Sequence, residues 1–431
     1  MSAAVPMLSL STKQGPPFWV PFSFFLSAPV ALMAAGLLLM IRADDGVATT
    51  FAPSNVALVH LGALGFLVLV ITGAFYQLLP VVAGALVPGA RWAHAVQGLL
   101  FVGTAALAFG QWRTHALAFG WAAGLLACGL LIWLVPSALA LFRSRVSHPT
   151  VWGLRLALVA LVAVVALGLR MALARAGLGL LPDNFLTFRA AHAAMGLLVF
   201  VGGLTAAVAW QVVPMFFLTA VPPRWIPTTV LSFVLTSLVC LALVSMLDVP
   251  GWGVFVAAAP AAVAVWLVQP AWVARALRGR KRRRRDATLY GWWGSIIVSP
   301  LCFGVGAIAA WTTHPTPPIV WGLLVLWGQA GLLVHAMLTR IVPFLVYLHL
   351  SAPLVLTHRM RSAKELLRDR EVSLGAGLHV FSLVVGVIAA AEGSVTLWRV
   401  FGGALSSVAG FLAYELIVAW KRGRTPLAVR G

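Results

Sequence analysis

Apolar residues run along this chain in twelve stretches, each long enough to cross a bilayer as a helix and each bounded by a short polar segment. The stretches cover residues 18–41, 54–82, 94–112, 116–142, 152–174, 188–218, 227–247, 252–274, 289–311, 317–347, 373–391 and 397–420. About 20 apolar residues suffice to span the hydrocarbon core. A membrane β-barrel would instead alternate apolar and polar residues over segments of about ten. The pattern predicts an all-α, polytopic transmembrane bundle of about 12 helices, forming one transmembrane domain over 1–431.

Composition sharpens this. Of 431 residues, 61% are hydrophobic and 9% charged, where a soluble domain carries about 25% charged residues. A water-soluble fold cannot hide that much apolar surface. The net charge of +20 would suggest nucleic acid in a soluble protein. Here the basic residues sit in short segments between apolar runs, which excludes that class and points to the lipid bilayer as partner. Lys13, Arg91, Arg143, Arg145, Arg155, Arg224, the block Arg278 to Arg285, the run Arg359 to Arg370, and Lys421, Arg422 and Arg424 fall on one side. Only Arg42, Arg113, Arg170, Arg175, Arg189 and Arg399 fall on the other. The positive-inside rule then predicts a multi-pass protein of a bacterial inner membrane with both termini cytoplasmic. No signal-peptide cleavage site follows Lys13, so the first run is expected to stay as a span. Two basic cytoplasmic loops are expected at 275–288 and 351–372, with 358–372 as a short amphipathic surface helix. Cys128, Cys240 and Cys302 lie in separate runs and read as small buried apolar residues.

Three even-numbered runs share a tail. The second ends Tyr76-Gln77-Leu78-Leu79-Pro80, the sixth Trp210-Gln211-Val212-Val213-Pro214, and the tenth Thr339-Arg340-Ile341-Val342-Pro343. The second and sixth also carry a histidine at the outer end, His60 and His192, each opening a glycine-rich helix. The four-run interval predicts three pseudo-repeats of four helices, about 18–142, 152–274 and 289–420, with equivalent helices side by side.

Twelve spans, threefold quasi-repetition and a histidine at the outer end of the second span resemble the haem-copper oxidase subunit I superfamily. His60, Gly65, Phe66, Gly73, Phe75, Gln77 and Pro80 are similar to a shortened form of that family's second-span motif. The opening Pro21-Phe22-Ser23-Phe24-Phe25-Leu26-Ser27-Ala28-Pro29 resembles the first span of smaller, NnrS-like relatives that act under nitric-oxide stress. The resemblance implies a b-type haem with His60 as axial ligand, electron transfer or nitric oxide or metal handling, and a redox partner or respiratory complex. It also implies departures. His192 is followed by Ala193 rather than proline, the seventh span has no histidine, and Gly322 and Leu323 stand where the tenth should carry its ligands. Oxygen reduction with proton pumping is therefore not expected, and no catalytic residue is assigned.

The remaining candidates divide by chemistry. His192 is a second haem or copper ligand, and His335, deep in the tenth span, is either a haem ligand or one wall of a polar cavity. Arg340, one turn further in, is expected to snorkel to the inner interface. His115 and His314 share the outer face with His60 and His192, so four histidines could hold copper or zinc. His94, His148, His349, His358 and His379 read as inner surface or interface residues. Tyr76, Gln77, Trp210 and Gln211 are either glue between repeats or a quinone or solute pocket. Glu415, the carboxylate within the last span, is expected to pair with Lys421 or an inner-loop arginine. Two functional classes stay open: a haem-binding membrane protein, and a haem-free permease with a polar path through Gln77, Gln211, His335 and Arg340. A respiratory assembly factor is a third.

Overall fold

A computed structural model describes residues 15–46, 49–282, 286–355 and 358–427. Lys13 and Arg283 to Arg285 lie outside the described residues. Twelve helices are long and apolar enough to cross a membrane: Trp19–Ile41, Pro53–Ala83, Ala90–Arg113, Ala116–Arg143, Pro149–Arg175, Phe185–Phe217, Trp225–Val244, Gly251–Arg278, Ala287–Trp311, Thr316–Leu354, Asp369–Glu392 and Val395–Arg424. They are numbered spans 1 to 12 below. The described chain contains no strand. The protein is an all-α, multi-pass membrane bundle.

Consecutive spans pack as neighbours around the bundle, and span 12 closes on span 1. That last contact is backbone on backbone. A Cβ placed on Gly36 would stand 2.6 Å from the carbonyl oxygen of Gly402, and one on Gly402 the same distance from that of Gly36. Small residues are what allow helices to approach so closely where lipid removes the usual hydrophobic drive. Spans 2, 6 and 10 form the interior. Each has 67% of its apolar window buried, against 22–56% in the other nine. Span 4, by contrast, exposes Leu117, Trp121, Leu131, Val135, Leu139 and Phe142, a face only lipid can solvate. Cys128 is exposed on this span, Cys240 is half-buried and Cys302 buried, so the cysteines do not share one environment.

The three interior spans share a device that hydropathy does not announce. Each contains an eight-residue π-helix, Leu61–Val68, Met195–Gly202 and Leu324–Gly331. Each ends at the same distance before the proline of its span: Val68 before Pro80, Gly202 before Pro214, Gly331 before Pro343. Close packing recurs at a fixed register too. Ala207 of span 6 lies against Gly153 of span 5, and Ala336 of span 10 against Gly291 of span 9, both seven residues before the proline. A Cβ on either glycine would collide with the facing alanine.

One element differs from expectation. Residues 358–368 form turns, not an amphipathic helix. Ser362 donates from its backbone N–H and Oγ to Glu365 Oε2, and Leu366 and Leu367 are buried. The backbone N–H of Arg368 then donates to Glu371 Oε2 and starts span 11. A cap so soon after Ser362 leaves room for one turn only. The other basic loop is shortened because span 8 runs on to Arg278.

Candidate functional site

The head of span 2 is held before His60 is reached. Arg42 forks onto Asp45 with both hydrogen bonds at 3.0 Å. Ser54 Oγ donates to Asp45 Oδ2 at 2.7 Å. Asn55 Nδ2 donates to the carbonyls of Asp45, Gly46 and Thr49. Pro53 supplies the fixed φ and absent N–H that suit a first turn. His60 closes this α-helical segment, and the π-helix begins at the next residue. Its Nδ1 lies 2.7 Å from the carbonyl oxygen of Val56. A carbonyl only accepts, so Nδ1 carries the proton and Nε2 keeps a free lone pair.

His192 is oriented in the same way by a different span. Its Nδ1 donates to the carbonyl of Val164 in span 5 at 3.1 Å. Gly168, one turn along span 5, makes room for the ring: a Cβ there would lie 2.9 Å from His192 Cε1. The two imidazoles come together as half-buried neighbours, with ring centres 6.4 Å apart and planes inclined by 23°. Arg189, three residues before His192, locks spans 6 and 2 to each other. It donates to the carbonyl of Thr50 at 2.7 Å, and its guanidinium lies 3.9 Å from the ring centre of Phe51.

The other outer histidines do not join them. His115 caps span 4 by accepting from the Ala118 N–H, and His314 accepts from the Thr316 N–H at the start of span 10. Among the described residues no group of three or more His, Cys, Asp or Glu side chains is placed to hold a metal. The structure therefore does not bring the four outer histidines into one cluster.

His335 belongs to a second constellation. Its Nδ1 lies 3.1 Å from Nδ1 of His379, and its Nε2 lies 3.4 Å from Glu415 Oε2. All three residues are buried, His379 and Glu415 at 0% exposure. Nε2 of His379 is 3.0 Å from the Trp327 carbonyl, and its ring stacks on Trp327 with centres 3.7 Å apart. Trp327 Nε1 in turn donates to Ser382 Oγ. These contacts correct three expectations. Both nitrogens of His335 are engaged, so neither is free for iron. His379 is a core residue and not an interface one. Glu415 pairs with His335, while Arg422 binds Glu371 through two contacts of 2.7 Å.

Proton positions here follow from acceptor logic. The Trp327 carbonyl requires the His379 proton on Nε2. Nδ1 of His379 then accepts from Nδ1–H of His335, and one proton remains to be shared between His335 Nε2 and Glu415 Oε2. Breaking such a buried pair is strongly destabilising, because the remaining group has no solvent.

The repeated tails take individual partners. Trp210 Nε1 donates to Gln269 Oε1 of span 8 at 3.0 Å, so Trp210 acts as glue. Tyr76 is buried against Phe24, Gln77 Oε1 is buried without a partner, and Gln211 is half-buried. Arg340 does not snorkel free. It donates to Asp286 Oδ2 at 3.0 Å, and Asp286 also caps span 9 through the Leu289 N–H. Thr205, Gln269, Ser295, Ser299 and Gln329 line a cavity of about 30 Å³ between spans 6, 8, 9 and 10. That is room for a water and not for a solute.

Neither a protein-family model nor a curated protein matches this chain.

Proposed function

We propose that this is a haem-binding redox protein of a bacterial inner membrane, related to haem-copper oxidase subunit I, with His60 and His192 as the residues that would hold the iron. The observation that carries the reading is the matched pair of imidazoles, each with Nδ1 tied to a backbone carbonyl and Nε2 left free. Second contacts of this kind set the tautomer and aim of metal-bound histidine. The two rings also lie close together, with centres 6.4 Å apart.

The donor set also favours haem over a bare ion. Structural zinc takes four protein ligands and catalytic zinc three, while an iron held by a macrocycle needs only two from the protein. Arg189 supplies a guanidinium beside the pair, suited to a carboxylate. When bound, a bis-histidine haem supplies one-electron chemistry without an open position for oxygen. His60 and His192 would hold the iron, Gly168 would give the second imidazole its room, and Arg189 would fix the two helices against each other. In this reading the histidine pair lies on the periplasmic side and the arginine-rich end in the cytoplasm.

Optical spectroscopy tests it. Protein purified after expression with ample haem is expected to show a Soret band and a reduced α-band, both diminished in His60→Ala and in His192→Ala. Colourless, metal-free protein would refute the reading and favour a haem-free permease.

A further inference from the structure

A second site lies between spans 10, 11 and 12, apart from the histidine pair. Glu415 is fully buried, and only one of its oxygens is satisfied. Oε2 faces His335 Nε2, while Oε1 has no partner. An orphan carboxylate oxygen in a membrane interior is costly and usually functional. The neighbouring helix makes room beside it. Glu371, Gly375 and His379 follow one another at four-residue intervals, so they lie on one face of span 11. A Cβ on Gly375 would stand 3.1 Å from both Glu415 oxygens. Gly375 thus gives the carboxylate its room, with span 11 packed directly against it. One turn outward, Glu371 and Arg422 form the ion pair at the arginine-rich end of the same face.

The charged surroundings are few. Span 11 presents His379 and Glu371, and span 10 presents His335. Span 12 presents Arg422 next to Glu415 itself, with Tyr414 exposed on its outer side. Span 1 carries no ionisable side chain, and span 9 contributes only Tyr290 and Cys302. Span 10 also carries Arg340, paired with Asp286, and Tyr347 and His349 nearer the arginine-rich end.

We propose that Glu415 and His335 form a proton-binding site inside the membrane. At rest the pair shares one proton between His335 Nε2 and Glu415 Oε2. Uptake takes a proton from hydronium onto Oε1 and leaves water behind. The product is a His335 imidazolium facing a neutral Glu415 carboxylic acid, and release reverses the step. No electron moves. His379 positions His335 by accepting its Nδ1 proton, and the stack on Trp327 holds His379 in place.

Infrared spectroscopy of the full-length protein in lipid vesicles reads this directly. Acidification should raise a carboxylic-acid C=O band that shifts on transfer to D₂O and is missing in Glu415→Gln. Gly375→Val should shift the frequency of the band, because the added side chain presses on both carboxylate oxygens. A band that Glu415→Gln leaves in place, or one that fails to shift in D₂O, overturns the site. Should Glu415→Gln fail to fold, the D₂O shift in wild type and the frequency change in Gly375→Val still decide the matter.

Discussion

Replacing Gly168 by alanine separates the fold from the site, because it disturbs the second far more than the first. The residue is helical, so alanine should stabilise span 5 by up to about 1 kcal/mol. Its methyl group, however, would arrive 2.9 Å from His192 Cε1. Carbon atoms rest at about 3.5–4.0 Å, so the imidazole must withdraw by about 0.5–1 Å. Its hydrogen bond to Val164, already 3.1 Å long, would then leave hydrogen-bonding range. Losing that bond removes about 0.5–1.5 kcal/mol and frees the ring to turn. Disturbing a ligand's orienting contact typically lowers metal affinity about 10–100-fold. The two terms nearly cancel, so the expected variant melts within a few degrees of wild type in detergent yet binds haem at least tenfold more weakly in a spectral titration. His60→Ala serves as the fully disabled reference. Unchanged haem affinity in Gly168→Ala would refute His192 as a ligand.

Three further outcomes follow from the same geometry. Arg189→Ala should loosen the junction of spans 2 and 6 by about 2–4 kcal/mol, from one charged hydrogen bond and one cation–π contact; hydrogen exchange over residues 49–56 should accelerate while spans 7 to 9 stay protected. His335→Ala should destabilise the protein by about 3–5 kcal/mol by stranding Glu415, whereas the double variant His335→Ala/Glu415→Leu should recover most of the loss in thermal unfolding. The hydrogen bond from Arg42 holds the Asp45 carboxyl below its ordinary value. Its contribution is therefore present above the unfolded carboxylate pKa of about 3.9 and disappears as pH falls through the lower folded value. The pair is exposed and screened by solvent, so the effect is small. Amide protection over residues 56–60, corrected for the pH dependence of intrinsic exchange, should fall as pH drops through the folded value, and Asp45→Asn should show the lower protection at pH 7 already.

Much of the architecture was legible because hydropathy and proline spacing are local signals. The apolar runs predicted the twelve spans to within a few residues, and the shared tails at Pro80, Pro214 and Pro343 singled out the helices that form the interior. His60 and His192 were legible for the same reason, each standing a similar distance before its proline. The Glu415–His335 pair was not. Its members are far apart in the chain and meet only because span 12 packs on span 10. His379 reads from sequence as an inner surface or interface residue, yet span 11 carries it into the bundle, where it is fully buried. The four-residue spacing of Glu371, Gly375 and His379 was the available signal. The π-helices left no mark on hydropathy, and each added residue turns the helix by about 100°. A face inferred from the proline end is therefore no guide to the face presented at the histidine end.

The mutual glycine contact between spans 1 and 12 imposes an order on assembly. Gly36 enters the bilayer with the first helix, and its groove stays lined by lipid until Gly402 arrives with the last. Every other neighbour of span 1 can dock earlier, so the seam is the final joint to close. The same event delivers Glu415 to His335. A chain stopped after span 11 would thus carry an open seam and a histidine whose acid partner had never arrived.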